Sequence, residues 1–173
     1  MSLFSDDLHR YLFACHEVDE RRIDAPDIFA KWPDICAAYI PDGLREFAHY
    51  PTVSLGWMMY VGMAVAQCWD EDWTTYDAVD NLYVLFRDKR GYDAMDEYIR
   101  SEVLHLSGDA YAEMERIVGE CAARSESQLR RTAEPGTPAA FHAYRDALFA
   151  LYEAGAALWL HRLGYKMCKV DMS

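Results

Sequence analysis

The sequence predicts an all-α fold: a helical bundle of about four long helices, with shorter N-terminal helices packed against it, in a single domain over residues 1–173. Three observations carry this. From Ser54 to Trp73 the chain reads SLGWMMYVGMAVAQCWDEDW, with no charge and no side-chain amide between Leu55 and Val65. A helix that is apolar on every side is buried on every side. Elsewhere, apolar residues recur every three to four positions, and no strand-like alternation of period two survives. Capping residues, prolines and glycines bracket those stretches where helices should begin and end. The uncharged run is shorter than the roughly 20 apolar residues of a membrane span. It is therefore expected as the central helix of the bundle, over 54–70.

In chain order, Ser5, followed by Asp6 and Asp7, is expected to cap a first helix that carries Leu8, Tyr11, Leu12, Cys15 and Val18. Pro26, Pro33 and Pro41 divide residues 24–50 into short helices near 26–31, 33–40 and 42–49, because proline removes a backbone donor and clashes with the preceding turn. Pro51 ends that region and Thr52 or Ser54 caps the central helix. Within it, Gly62 and Ala66 are four apart, so a neighbouring backbone can approach closely there. Thr74 or Thr75 begins a helix running to Arg90, with Gly91 as its C-terminal cap. Asp93 begins another with Met95, Ile99, Val103 and Leu106 on one side. Ser107-Gly108-Asp109 turns into a long helix to about Arg131, striped by Tyr111, Met114, Val118, Cys121, Ser125 and Leu129. Glu134-Pro135-Gly136-Thr137-Pro138 reads as the clearest linker. Thr137 is the cap and Pro138 the first residue of a last helix that runs through Leu163 and ends at Gly164.

Composition narrows the function classes. The net charge is −12, and residues 1–120 hold 10 Lys/Arg against 24 Asp/Glu, whereas 121–173 hold 7 against 5. An acidic body repels phosphate backbones and anionic membrane surfaces, which argues against nucleic-acid and membrane partners. The asymmetry permits self-association. The five cysteines form no C-x-x-C pair, and three of them sit among apolar neighbours. They read as reduced thiols rather than a disulfide or zinc framework. With no basic start or apolar run at the N-terminus, the expected location is cytoplasmic. The 12 Tyr, 7 Phe and 5 Trp exceed what a small core needs, so part of them is expected at a partner surface, where Tyr and Trp are favoured.

Two constellations stand out. Trp69-Asp70-Glu71-Asp72-Trp73 places three acids at a helix C-terminus, against the macrodipole. Two tryptophans beside carboxylates suit a cationic group or a hard cation, and this stretch is the expected contact surface. The plainer reading is that Asp70 and Asp72 cap the next helix while the tryptophans are core. The second constellation is a pair of Glu-x-x-His motifs, Glu46 to His49 and Glu102 to His105, whose i, i+3 spacing puts carboxylate and imidazole on one helix face. With Glu17 before the first and Glu71 before the second, the order resembles that of ferritin-like di-metal carboxylate bundles. The resemblance implies a divalent or di-iron centre with redox or hydrolytic chemistry. On a helical wheel Glu17 and Glu46 point away from their apolar faces, whereas Glu102 falls among Met95, Tyr98 and Ile99, with His105 at its edge. His142, Arg145 and Asp146 read as solvated surface. No hydrolase motif, phosphate-cradling loop or zinc spacing is present.

The expectation is therefore a non-catalytic binding or scaffold module without a cofactor, acting through protein–protein contacts, as a homo-oligomer or with another protein. The alternative is a metal-dependent enzyme built on Glu102, His105, Glu46 and His49.

Overall fold

The structure, a computed structural model, describes residues 2–166. Among these residues it is all-helical, with no strand: α1 (Leu3–Ala14), α2 (Pro26–Phe29), α3 (Trp32–Phe47), α4 (Pro51–Asp77), α5 (Leu82–Arg90), α6 (Met95–Tyr98), α7 (Gly108–Thr132) and α8 (Pro138–Arg162). A 3₁₀ turn (Tyr92–Ala94) precedes α6 and a π turn (Ile99–Val103) follows it. Cys168 and the remainder of 167–173 lie outside the described residues. No helix among the described residues is long and apolar enough to cross a membrane.

α4 is the buried axis. Every residue from Met58 to Cys68 is buried, as a helix without a polar face requires. Its principal partner is α8, and the two run in the same direction. The Ser54–Tyr144 contact marks one end and the Gln67–Trp159 contact the other. Between these ends the backbones touch. A Cβ on Gly62 would lie 2.2 Å from the carbonyl oxygen of Tyr152, and one on Gly155 would lie 2.1 Å from that of Met59. Each glycine thus turns a Cα hydrogen onto a carbonyl of the other helix. Gly62 is the close-approach residue read from the sequence. α7 covers another side of α4, with Val118 and Ala122 against Gly56. α1 lies on α8 and α7, where Arg124 forks onto Asp7 at 3.0 Å through both Nε and Nη2.

Several boundaries differ from the sequence reading. α1 is capped by Ser2, whose hydroxyl accepts from the Ser5 amide, while Ser5 itself is buried and donates to Glu153 at 2.7 Å. α1 stops at Ala14 because His16 adopts a left-handed conformation (φ 63°), and the Glu17 amide returns to the Leu12 carbonyl. That closure usually falls to glycine, so histidine concealed it. α3 runs unbroken through Pro41, where two short helices were expected. Pro51 starts α4 rather than ending the region before it, and Ser54 is interior, not a cap. The central helix is 51–77 instead of 54–70, broken only at Asp72 (φ −164°, ψ 75°). No helix spans 74–90. Residues to Asp77 belong to α4, and Asn81 caps the nine-residue α5 by accepting from the Val84 amide. Three helices exceed 20 residues, α4, α7 and α8, with α3 next at 16.

Removing the room that Gly62 provides should force the two longest-buried helices apart. Gly62→Ala is expected to cost about 1–3 kcal/mol in urea unfolding, the usual penalty for overpacking, while Gly119→Ala, where nothing lies within 4 Å of the added carbon, should cost nothing measurable.

Candidate functional site

The Trp69–Trp73 stretch lies at the exit of α4. Both indoles are half-buried and the three acids are exposed. Trp69 Nε1 donates to Asp27 at 3.3 Å, and Trp69 meets the Tyr165 ring edge-on at 5.4 Å between centroids. Asp70 accepts from the Tyr165 hydroxyl at 2.6 Å. Asp72 accepts from the Thr75 hydroxyl at 2.6 Å and, weakly, from its amide at 3.4 Å, which makes it the cap of the short helical piece after the break. The Lys31 ammonium lies 5.5 Å over the Trp73 ring and pairs with Asp77 at 2.6 Å. Lys31 thus already occupies the face of Trp73 that a cationic partner would take.

Neither Glu-x-x-His motif keeps the helical geometry that made it attractive. Glu46 is in the last turn of α3, and His49 lies beyond its C-cap, Ala48. Glu102 was expected on an apolar face. It is exposed and pairs with Arg90 at 3.1 Å. The reason is the π turn at 99–103, whose wider pitch departs from the 3.6-residue wheel and buries Arg100 instead. The Arg100 guanidinium lies 4.0 Å from the Tyr111 ring centroid and 5.2 Å from that of Tyr60, and it pairs with Asp96 at 2.8 Å. Burial raises the Asp96 pKa from the usual carboxylate value against the opposing pull of Arg100. His105 is exposed and left-handed (φ 57°). Glu17 pairs with Arg162 at 3.1 Å, and Glu71 is exposed. Among the described residues no three His, Cys, Asp or Glu side chains gather to hold a metal ion. His142, Arg145 and Asp146 are exposed, as read from the sequence, beside Trp32 and Phe149 in an open depression.

A large concavity among the described residues was not foreseen from the sequence. At the end of the bundle where α4 and α8 begin, a half-open groove of about 700 Å³ lies between the last turn of α3 (Leu44, Phe47, Ala48), Pro51, the last turns of α7 (Glu126, Leu129, Arg130) and the start of α8 (Ala140, Phe141, Tyr144). Its volume falls within the range of small-molecule sites. The α7–α8 linker closes one side. Ala133 is extended, Gly136 supplies the positive φ of 81° that the turn needs, and Thr137 accepts from the Ala140 amide at 3.1 Å while donating to the Glu134 carbonyl at 2.7 Å. The capping signals that identified this segment as a linker therefore also set the wall of the groove.

Behind Tyr144, one of the lining residues, runs a hydroxyl chain with one consistent proton arrangement. Ser54 Oγ must donate to the Gly43 carbonyl (2.8 Å), which only accepts, so Tyr144 donates to Ser54 Oγ (2.5 Å). Tyr39 donates to the Ser54 carbonyl (2.6 Å), and Tyr92 therefore donates to Tyr39 (3.0 Å). Gly43 makes the room: a Cβ there would lie 2.5 Å from both the Tyr144 hydroxyl and the Tyr39 ring. Phe47 packs edge-on against Tyr144 at 5.0 Å. Desolvation raises the pKa of Tyr39, Tyr92 and Tyr144 above the ordinary 10.0.

Two measurements follow from this chain. Ser54→Ala strands a buried tyrosine donor and should cost about 1–3 kcal/mol, more than the roughly 0.5–1.5 kcal/mol of Tyr144→Phe, which removes the donor with its bond. The folded state holds these phenols neutral beyond the pH at which unfolded tyrosine ionises. Their contribution should be complete below about pH 10 and lost as pH rises above it, seen as unfolding coincident with tyrosinate absorbance. No protein-family model, curated protein or solved structure matches the chain.

Proposed function

We propose that the protein is a non-catalytic binding module and that the groove between α3, α7 and α8 is its binding site. The observation that carries the reading is the groove itself: a small-molecule-sized hollow whose lining is largely apolar and aromatic, with two charged residues, Glu126 and Arg130. Apolar hollows with a few polar groups are the common form of ligand sites. Tyr144 in its lining is held by a hydrogen bond to Ser54 and packs edge-on against Phe47, and a side chain already held in place lowers the ordering cost of binding.

A second reading places a protein partner, or a second copy of this chain, on the same face. It rests on the large apolar residues at the mouth: Leu44 is 41% exposed, Phe141 36%, and Tyr50, next to Pro51, 63%. Trp69 and Trp73 are the contact surface expected from sequence, and their local partners Asp27, Lys31 and Tyr165 favour the groove end over them.

Titration with the neutral fluorophore N-phenyl-1-naphthylamine should show one saturable site in the wild type. Ala140→Trp, which fills the groove from the first turn of α8, should weaken it at least about tenfold without lowering the thermal midpoint. Equal affinity in both proteins, or no saturable binding in the wild type, would sink the reading. Sedimentation velocity over a range of concentrations checks the partner reading, which predicts self-association abolished by Phe141→Glu.

A further inference from the structure

The groove has a charge asymmetry that its apolar lining makes consequential. Glu126 and Arg130 are its charged lining residues, and they are placed differently. Glu126 is turned inward, its side chain 20% exposed, whereas Arg130 is 73% exposed and reaches back over the carboxylate at 2.5 Å from one turn further along α7. Of the two charges that line the hollow, the carboxylate is therefore the better shielded from water. The guanidinium is a solvent-borne cap resting on it, at a position already shown to accept a cation. A carboxylate against apolar walls attracts a cation far more strongly than one in water, and the aromatic rings of Phe47, Phe141 and Tyr144 line the same space. The net charge of −12 adds a field that draws cations and repels anions. A hollow of about 700 Å³ is the size of a small-molecule site.

We infer that the groove takes a lipophilic organic cation, an amine on an apolar body of small-molecule size, with Glu126 as its counter-ion. The inference rests on the groove being the binding site and adds the chemistry of what fills it. On binding, the ammonium replaces the Arg130 guanidinium at the Glu126 carboxylate, the guanidinium swings into water, and the apolar body lies along Leu44, Phe47, Leu129 and Phe141. Arg130 is then an internal competitor, which sets the direction of its own mutation: removing it tightens binding, although it deletes a positive charge only one turn from the site.

Isothermal titration with decylammonium, decanol and decanoate, each below its micelle concentration, separates charge from chain. Decylammonium is expected to bind one site in the wild type at least about tenfold more tightly than either of the others. In Glu126→Gln that advantage over decanol should collapse, and in Arg130→Ala it should grow, with thermal melting showing both variants folded. If the three ligands bind alike, the inference falls and the groove remains a neutral apolar site. If none binds, the groove reading falls with it. If decanoate is preferred, Arg130 rather than Glu126 is the recognising group and the inference is overturned. A wild-type dimer that Glu126→Gln dissociates on sedimentation would place a second copy of the chain in the groove and overturn it equally.

Discussion

The structure depends on the contact between the backbones of α4 and α8. Gly62 and Gly155 face carbonyls of Tyr152 and Met59 across the crossing, at a separation no side chain fits. Helices usually pack with their axes 8–10 Å apart because side chains hold them there. Here the side chains are absent at the point of closest approach, so the two helices meet directly and their remaining large residues fill the space on either side. Two rods that touch at one point separate toward their ends, and the ends of this pair are closed differently. Toward the exit, the Trp159 indole donates to Gln67 at 2.7 Å and Tyr165 covers Trp69. Toward the start, the Ser54–Tyr144 bond links the two helices, and the groove lies beside it, between α3, α7 and the first turns of α8.

The same geometry accounts for the aromatic load. The aromatic load, tyrosine, phenylalanine and tryptophan together, was expected in part at a partner surface, and among the tyrosines Tyr39, Tyr83, Tyr144 and Tyr152 are interior, with their hydroxyls committed to the chain. Tyr39 donates to the Ser54 carbonyl, Tyr152 to the Ile28 carbonyl at 2.7 Å, Tyr83 to the Asp42 carboxylate at 2.6 Å, and Tyr144 to Ser54. Each bond ties one helix to another, and each phenol buries a large ring while its hydroxyl keeps a partner. Tyrosine serves here as a packing residue that carries its own specificity, since a misplaced helix would strand a buried hydroxyl.

Charge placement follows a related division. Surface acids pair with arginines along the outside, as Glu102 does with Arg90 and Glu113 with Arg116, and such pairs contribute little individually. Two charged groups are used differently. Arg100 is buried against two tyrosine rings at a π turn, and Glu126, paired with Arg130, lines a largely apolar hollow. Both are places where the protein tolerates a cost that a neutral side chain would avoid. Arg100 lies on a break in helix geometry, and Glu126 lines the candidate site.

What the sequence determined by itself is local. The burial of α4 follows from a run without a polar face. The starts of α8 and α7 follow from capping residues and turn glycines, and Gly62 was readable as a point of close approach because a glycine inside a buried helix has few other uses. Periodicity failed where pitch or handedness changed without its usual marker: at His16 and His105, left-handed without being glycine, and at the π turn, which rotated Glu102 outward and Arg100 inward. The candidate site was not legible at all. Its walls come from residues 44–51 and 126–144, segments separated by most of α4 through α7, and each of its apolar residues looks in sequence like ordinary core. Only the tertiary structure decides that Leu44, Leu129 and Phe141 line one groove, because the packing of the whole bundle brings the ends of α3 and α7 beside the start of α8, and a distance between remote segments leaves no trace in the spacing of any of them.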